Sequence, residues 1–132
     1  MKAEKSNYYL QEVDRIINEC YSNQIQIDMA VAAKRYIDQN FEQDINLDLL
    51  AHIGFASKCH LLRIFKRYHG ITPRQYLIHK RISEAKKQLQ KGASVSNACY
   101  AVGFNSLNSF SILFKKKTGK SPSSYRKAIF DK

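Results

Sequence analysis

The sequence has few of the residues that interrupt helices or cross-link chains. Its 132 residues include two prolines, five glycines, three cysteines and no tryptophan. Apolar residues recur at spacings of three and four and never alternate cleanly with period two, which excludes a mainly β fold and predicts helices. Three widely spaced cysteines form neither a disulfide framework nor a CxxC metal pair, which indicates a reducing compartment.

Long apolar runs are also missing. No run approaches the ~20 residues of a membrane span, and the N-terminus MKAEKSNYYL lacks the apolar core of a signal peptide. We therefore expect a cytoplasmic protein with no membrane partner.

Acidic residues are scarce in one part of the chain. Residues 1–44 hold five basic and eight acidic side chains, whereas residues 45–132 hold 17 basic and three acidic ones. The net charge of +11 therefore comes from the second part alone. A surface of this kind suits a polyanion such as nucleic acid.

Capping residues and glycines divide the chain into predicted helices. The helices expected from these signals cover approximately residues 8–22, 28–40, 47–53, 58–69, 73–91, 95–102 and 107–118. The predicted N-caps are Asp28, Asn46, Ser57, Ser94 and Ser106, with Pro73 in the first turn of the long helix behind Thr72. That helix carries an apolar stripe of Ile78, Ile82, Ala85 and Leu89, typical of a helix packed on one face.

One segment of 23 residues occurs twice. Residues 54–76, GFASKCHLLRIFKRYHGITPRQY, return as residues 103–125, GFNSLNSFSILFKKKTGKSPSSY, with eight identities and no gap. The identical residues are mainly glycines, capping serines and aromatics, which are architectural types. Each copy starts where a short helix ends, so the duplicated unit is a helix-turn-helix. We predict an all-α fold with two helix-turn-helix subdomains joined by a long linker helix, plus an extra N-terminal helix.

This fold divides the chain into four parts. They are an N-terminal extension with one amphipathic helix (1–27), a first helix-turn-helix subdomain (28–72), a linker helix (73–92) and a second subdomain (93–132). The extension carries the stripe Leu10, Val13, Ile17 and Cys20 with Tyr21, which we expect to pack on the helix-turn-helix subdomains; self-association or a protein partner is the alternative. The extension is too short to enclose a small molecule.

The two copies diverge on one exposed strip of each second helix. Lys58, Cys59, Leu62 and Arg63 in the first copy stand against Leu107, Asn108, Ser111 and Ile112 in the second. A constant frame with two different outward strips fits a protein that reads two different stretches of duplex DNA, because base identity is read by side chains in the major groove.

At these residues the chain resembles the DNA-binding domain of the AraC/XylS transcription regulators. The resemblance covers about residues 28–127 and includes LLAHIGFASKCHLLRIFKRYHGITPRQYL, the linker motif RISEAKKQL and VSNACYAVGFNSLNSFSILFKKKTGKSPSSYR. It implies seven helices, with two recognition helices inserted into adjacent major-groove segments on one face of the DNA. It also implies an activator rather than a repressor, which would contact RNA polymerase. No cofactor, metal site or catalytic residue is expected, and a monomer on DNA is favoured over a dimer.

The predicted contacts form two sets. The base-facing set is Lys58, Cys59, Leu62, Arg63, Leu107, Asn108, Ser111 and Ile112. The phosphate set is Ser57, Lys66, Arg67, Ser106, Lys115 and Lys116. The family often has an arginine at the position of Ile112 and a polar residue at that of Leu62, so readout here depends on Arg63 and Asn108, and A·T-leaning, degenerate sites are expected.

Several alternatives stay open from the sequence. Leu62, Leu107 and Ile112 either meet thymine methyls or pack on a neighbouring helix, and Arg63 either contacts a base or a phosphate or is merely solvated. The chain is either a stand-alone regulator or the C-terminal part of a longer one. A DNA-targeting part of a transposase or recombinase and a non-specific DNA-packaging protein are the rival functions; the first lacks clustered carboxylates and the second does not account for divergent strips.

Overall fold

The fold consists of helices throughout the part of the chain that is described. The computed structural model describes residues 2–54 and 56–130, with the backbone alone for residues 2–6. Within these ranges there are seven helices and no strand, which confirms the all-α prediction. They are α1 (Lys2–Asn40), α2 (Leu47–Ile53), α3 (Lys58–His69), α4 (Pro73–Gln90), α5 (Val95–Ala101), α6 (Leu107–Thr118) and α7 (Pro122–Phe130).

The duplicated segment folds into two equivalent units. Ser57 caps α3 and Ser106 caps α6, in each case by accepting a hydrogen bond from the backbone amide three residues on. Both helices end at a glycine in the left-handed conformation, Gly70 and Gly119, with φ of 79° and 85°. These caps confirm the predicted helix bounds. Phe55, which belongs to the repeat, lies outside the described residues.

Each unit has its own apolar core. The first core is built from α1, α2, α3 and the start of α4, and the second from the rest of α4 with α5 and α6. The buried residues of the first are Ala33, Ile37, Leu50, Ala51, Leu61, Phe65 and Leu77. Those of the second are Ile82, Ala85, Leu89, Ala98, Cys99, Val102, Phe104, Phe110 and Phe114. Because α4 contributes side chains to both cores, it is the predicted linker helix.

The loop after α1, residues 41–43, contacts Arg81 of α4 and Gly103 and fixes the two units to each other. We call this set of contacts the joint. Phe41 packs against both cores. Arg81 of α4 donates hydrogen bonds to the carbonyl oxygens of Phe41 (2.7 Å) and Gln43 (2.8 Å). Burial lowers the pKa of Arg81, although nearby carboxylates oppose that shift. Gly103, with φ of 102°, lies so close to Glu42 that a Cβ would come within 2.8 Å of the Glu42 carbonyl oxygen.

The N-terminal helix differs from the prediction. α1 runs without a break through residues 23–27, so Asp28 lies inside a helix and is no N-cap. No glycine or proline occurs before Gly54, and nothing in this stretch interrupts the backbone hydrogen bonds. The stripe does not pack on the DNA-binding part, since Leu10, Ile17 and Tyr21 are 56%, 57% and 69% exposed. None of the described helices is long and apolar enough to cross a membrane.

Candidate nucleic-acid interface

Helix α3 presents the first predicted strip. Its buried face consists of Leu61, Ile64 and Phe65, which face the first core. Because that face is fixed, the opposite face points to solvent, and Lys58, Cys59, Leu62, Arg63, Lys66 and Arg67 are all exposed. The Ser57 side chain is occupied as the N-cap, with its Oγ accepting from the amide of His60 at 3.2 Å.

Helix α6 presents the second strip in the same manner. Phe110 and Phe114 are fully buried. The Oγ of Ser106 accepts from the amide of Ser109 at 3.2 Å. Leu107, Asn108, Ile112, Lys115 and Lys116 are exposed, whereas Ser111 is half-buried. A half-buried hydroxyl is a weaker candidate for a base contact than its exposed neighbours.

The apolar members of the strips are open to solvent to different degrees. Ile112 is 60% exposed, so it does not pack on a neighbouring helix. Leu62 and Leu107 are 38% and 37% exposed, and each keeps part of its surface free. Exposed aliphatic groups beside a polar side chain suit contact with thymine methyl groups.

Two cations of α3 differ in their partners. The Nζ of Lys58 lies 2.6 Å from an oxygen of Asp48, with both side chains exposed. An exposed pair of this kind contributes only about 0–1 kcal/mol, so DNA can displace it. The guanidinium of Arg63 has no carboxylate partner among the described residues. Arg63 therefore gives up no ion pair on meeting a nucleic acid, whereas Lys58 does.

The described acidic residues of the basic region, Asp48 and Glu84, are paired with lysines. Glu84 is the single carboxylate in residues 56–130, and it lies 3.5 Å from Lys80 and 3.1 Å from Lys87. Burial works against its charge, yet Lys87 and Lys80 together lower the pKa of Glu84. Among the described residues, Lys66, Lys115 and Lys116 form no salt bridge with a carboxylate.

Both recognition helices border one cleft. It has a volume of about 630 Å³ and is lined by Leu62 of α3 and by Ser109 and Leu113 of α6. Arg74, in the first turn of α4, is exposed and lines the same cleft. Arg74 is not among the contacts predicted from the sequence. Its place directly after the Thr72-Pro73 cap is the sequence feature that could have indicated it. Of the two strips, Leu62 alone lines the cleft, and α6 borders it through Ser109 and Leu113, which lie beside the second strip.

Comparison with known proteins agrees with this geometry. A family profile described as a helix-turn-helix domain matches residues 50–128. Solved structures of AraC-type DNA-binding domains share the fold. One is the DNA-binding domain of AdpA, a global transcriptional factor, in complex with a target DNA; it is 25% identical with a TM-score of 0.72, over 75% of this chain and 90% of that one.

The chain belongs to the AraC family of helix-turn-helix regulators.

Two curated relatives match this chain over part of their own length. An HTH-type transcriptional regulator from the cgkA 5' region of Pseudoalteromonas carrageenovora is 36% identical, over 84% of this chain and 68% of the relative. The bifunctional transcriptional activator/DNA repair enzyme AdaA of Bacillus subtilis is 39% identical, over 69% of this chain and 44% of the relative. The chain thus spans less than half of the length of AdaA.

Proposed function

We propose that this AraC-type chain is a sequence-specific regulator that inserts α3 and α6 into successive major-groove segments of one duplex. The observation that carries the proposal is the pair of equally capped helices that border one cleft and each expose a different strip. The 18 residues of α4 span ~27 Å at ~1.5 Å each. That length is comparable to the ~34 Å between successive major-groove faces on one side of DNA.

Each strip is assigned contacts by its chemistry. Arg63 suits the O6 and N7 acceptors of guanine, and Asn108 suits the N6 and N7 groups of adenine. The exposed aliphatic residues suit thymine methyls. Lys66, Arg67, Lys115 and Lys116 lie at the ends of the recognition helices and suit phosphates, which orient a protein without reading sequence. We add Arg74 to this phosphate set because it is exposed in the cleft between the strips.

We propose transcriptional activation rather than repression, with RNA polymerase as a second partner and the cytoplasm as location. Catalysis is not part of the proposal. Asp48 and Glu84 are the described acids of the basic region, and both are paired with lysines rather than with each other. Catalysis on DNA needs clustered carboxylates or a nucleophile with its base. A nicking assay on supercoiled plasmid with Mg²⁺ tests this point, and conversion to open circles would contradict it.

The function is tested by selecting bound sequences from a random ~30-bp duplex library at physiological salt. We expect enrichment of two unlike half-sites about one helical turn apart. Enrichment of a single half-site would assign one helix to phosphate clamping. Tight, salt-sensitive binding without any enrichment would favour the packaging alternative.

A further inference from the structure

The N-terminal part of α1 carries an apolar seam that the domain does not cover. Leu10, Ile17, Ile27 and Val31 are 56%, 57%, 38% and 44% exposed. Together with three residues between them they follow one another at alternating steps of three and four. We call this set the α1 seam: Leu10, Val13, Ile17, Cys20, Gln24, Ile27 and Val31. Such spacing is the heptad pattern of a coiled coil, with apolar residues at positions a and d.

Most of the α1 seam lies beyond the folded core. The core side of α1 begins at Ala30 and continues through Ala33 and Ile37, which are almost fully buried. Contacts of α1 with α3 begin at the same level, where Tyr68 donates to Gln26 at 3.4 Å and a ring nitrogen of His69 lies 2.9 Å from the Ala30 carbonyl oxygen. The helix therefore projects from the domain with its seam free.

We propose that a second copy of this chain covers the α1 seam and that the two α1 helices form a parallel coiled coil. A heptad seam is self-complementary, because each a or d side chain inserts between four residues of an identical helix. The seam spans three heptads with Leu10, Ile17 and Val31 at a and with Val13, Cys20 and Ile27 at d. Gln24, the one polar residue, sits at an a position, where a single polar side chain specifies register.

The flanking positions widen the apolar face and favour the parallel arrangement. Tyr9, Ile16 and Tyr21 are 69%, 52% and 69% exposed beside the seam. In a parallel pair, Ile16 of one copy meets Tyr21 of the other. The acidic flanking residues, Asp14 and Asp28, each meet an uncharged residue. A fully overlapped antiparallel pair instead brings Asp14 near Asp28 of the second copy, and like charges at these positions oppose pairing.

From the sequence, we expect this stripe to pack on the DNA-binding part, but the exposure of the seam leaves it free for the alternative, self-association. The proposal concerns association through α1 and does not depend on how the domain contacts DNA. It adds a second molecule, and therefore a second pair of recognition helices, to one assembly.

Association is measured first, by sedimentation equilibrium of the full chain over a range of concentrations. We expect a dimer for the unchanged chain. Ile17→Asp should shift it to a monomer, because a carboxylate at an a position would be buried in the seam. The matched control Asn18→Asp adds the same charge on the adjacent outer position and should remain a dimer. A monomer for the unchanged chain at its highest soluble concentration, or equal behaviour of both variants, would overturn the proposal.

The parallel register is measured by cross-linking at Cys20 with a short bismaleimide. The background is Cys59→Ser, which removes the exposed thiol of α3, while Cys99 is buried. Facing d positions of a parallel pair bring the two Cys20 thiols together, so we expect a covalent dimer on denaturing gels. Cys20→Ser with Ser22→Cys moves the thiol to the outer face and should abolish it. A dimer that never cross-links at Cys20, or cross-links equally from residue 22, would overturn the parallel arrangement.

Discussion

The substitution Gly103→Ala tests how firmly the two helix-turn-helix units are joined. Residue 103 has φ of 102°, in the region that side chains with a Cβ resist. A Cβ there would lie 2.8 Å from the Glu42 carbonyl oxygen and 3.0 Å from its carbonyl carbon and Cα. These are backbone atoms, which cannot turn aside as a flexible side chain would. The variant must therefore either push the joint apart or strain the turn after α5.

The cost follows from two separate effects. Holding a non-glycine residue at this φ costs about 1–3 kcal/mol. Forcing a methyl group against packed atoms costs a further ~1–3 kcal/mol. Together they lower the free energy of unfolding by roughly 2–6 kcal/mol, a large fraction of the ~5–15 kcal/mol of a typical domain.

Two other glycines provide matched controls. Gly54 occupies the equivalent position of the first unit, but its φ is −85° and a Cβ would meet nothing closer than 3.5 Å. Gly54→Ala should therefore change the stability by less than about 1 kcal/mol. Gly119 has positive φ with nothing within 4 Å, so Gly119→Ala should show the conformational cost alone.

The assay is urea unfolding followed by circular dichroism at 222 nm. We expect the order Gly54→Ala, Gly119→Ala, Gly103→Ala in increasing destabilisation. Equal losses of stability for Gly119→Ala and Gly103→Ala would mean that the contact with Glu42 relaxes freely and that the joint is not rigid. A large loss of stability in Gly54→Ala would show that the turn at Gly54 does not accept a Cβ more readily than the turn at Gly103.

Further predictions concern DNA binding and pH. Arg63→Ala should cost ~1–3 kcal/mol and relax specificity in one half-site, measured by competition between duplexes; a uniform loss on all sequences would make it a phosphate contact. Replacing Lys115 and Lys116 with alanine should flatten the salt dependence of binding without changing the preferred sequence, and an unchanged slope would remove both from the interface. Deleting residues 1–22 should leave affinity for a short single-site duplex nearly intact, since that part of α1 lies outside the cores; collapse of the fold would contradict this. Burial, with a hydrogen bond to a carboxylate, raises the pKa of Tyr76 to about 12, so the neutral phenol is favoured in the folded state. The stabilisation of the folded state by the Tyr76 phenol is then complete below pH ~10 and is lost as the pH rises toward ~12. The stability advantage of the unchanged chain over Tyr76→Phe should therefore shrink across that window. Unfolding measured at several pH values would show this.

Local signals in the sequence predict much of the fold because they act over a few residues. Asn46, Ser57, Ser94 and Ser106 each cap the helix assigned to them. The strips of α3 and α6 follow from helical periodicity alone, since a helix with one buried face must expose the other. α7 is not among the helices predicted from capping and periodicity, and only the family resemblance, which implies seven helices, provides for it.

The parts that depend on distant residues could not be predicted. The joint brings Arg81 to the carbonyl oxygens of Phe41 and Gln43, about 40 positions earlier in the chain. The repeat presents Gly54 and Gly103 as equivalents, yet one has negative and the other positive φ, because only the second turn meets the loop after α1. The break expected before Asp28 was wrong, since polar residues alone do not end a helix that lacks glycine and proline.

The claim that one rigid body reads two groove segments is tested most directly by changing their spacing. On a duplex carrying both half-sites, 5 or 10 bp would be inserted between them, and the affinity would be measured at fixed salt with the Ile17→Asp chain, so that no second copy paired through α1 can occupy the displaced half-site. α4 and the joint hold the recognition helices at one separation, so both insertions should lower affinity to that of a single half-site. Recovery of the full affinity at 10 bp, one helical turn further along, would show that the two units move independently and would contradict the account.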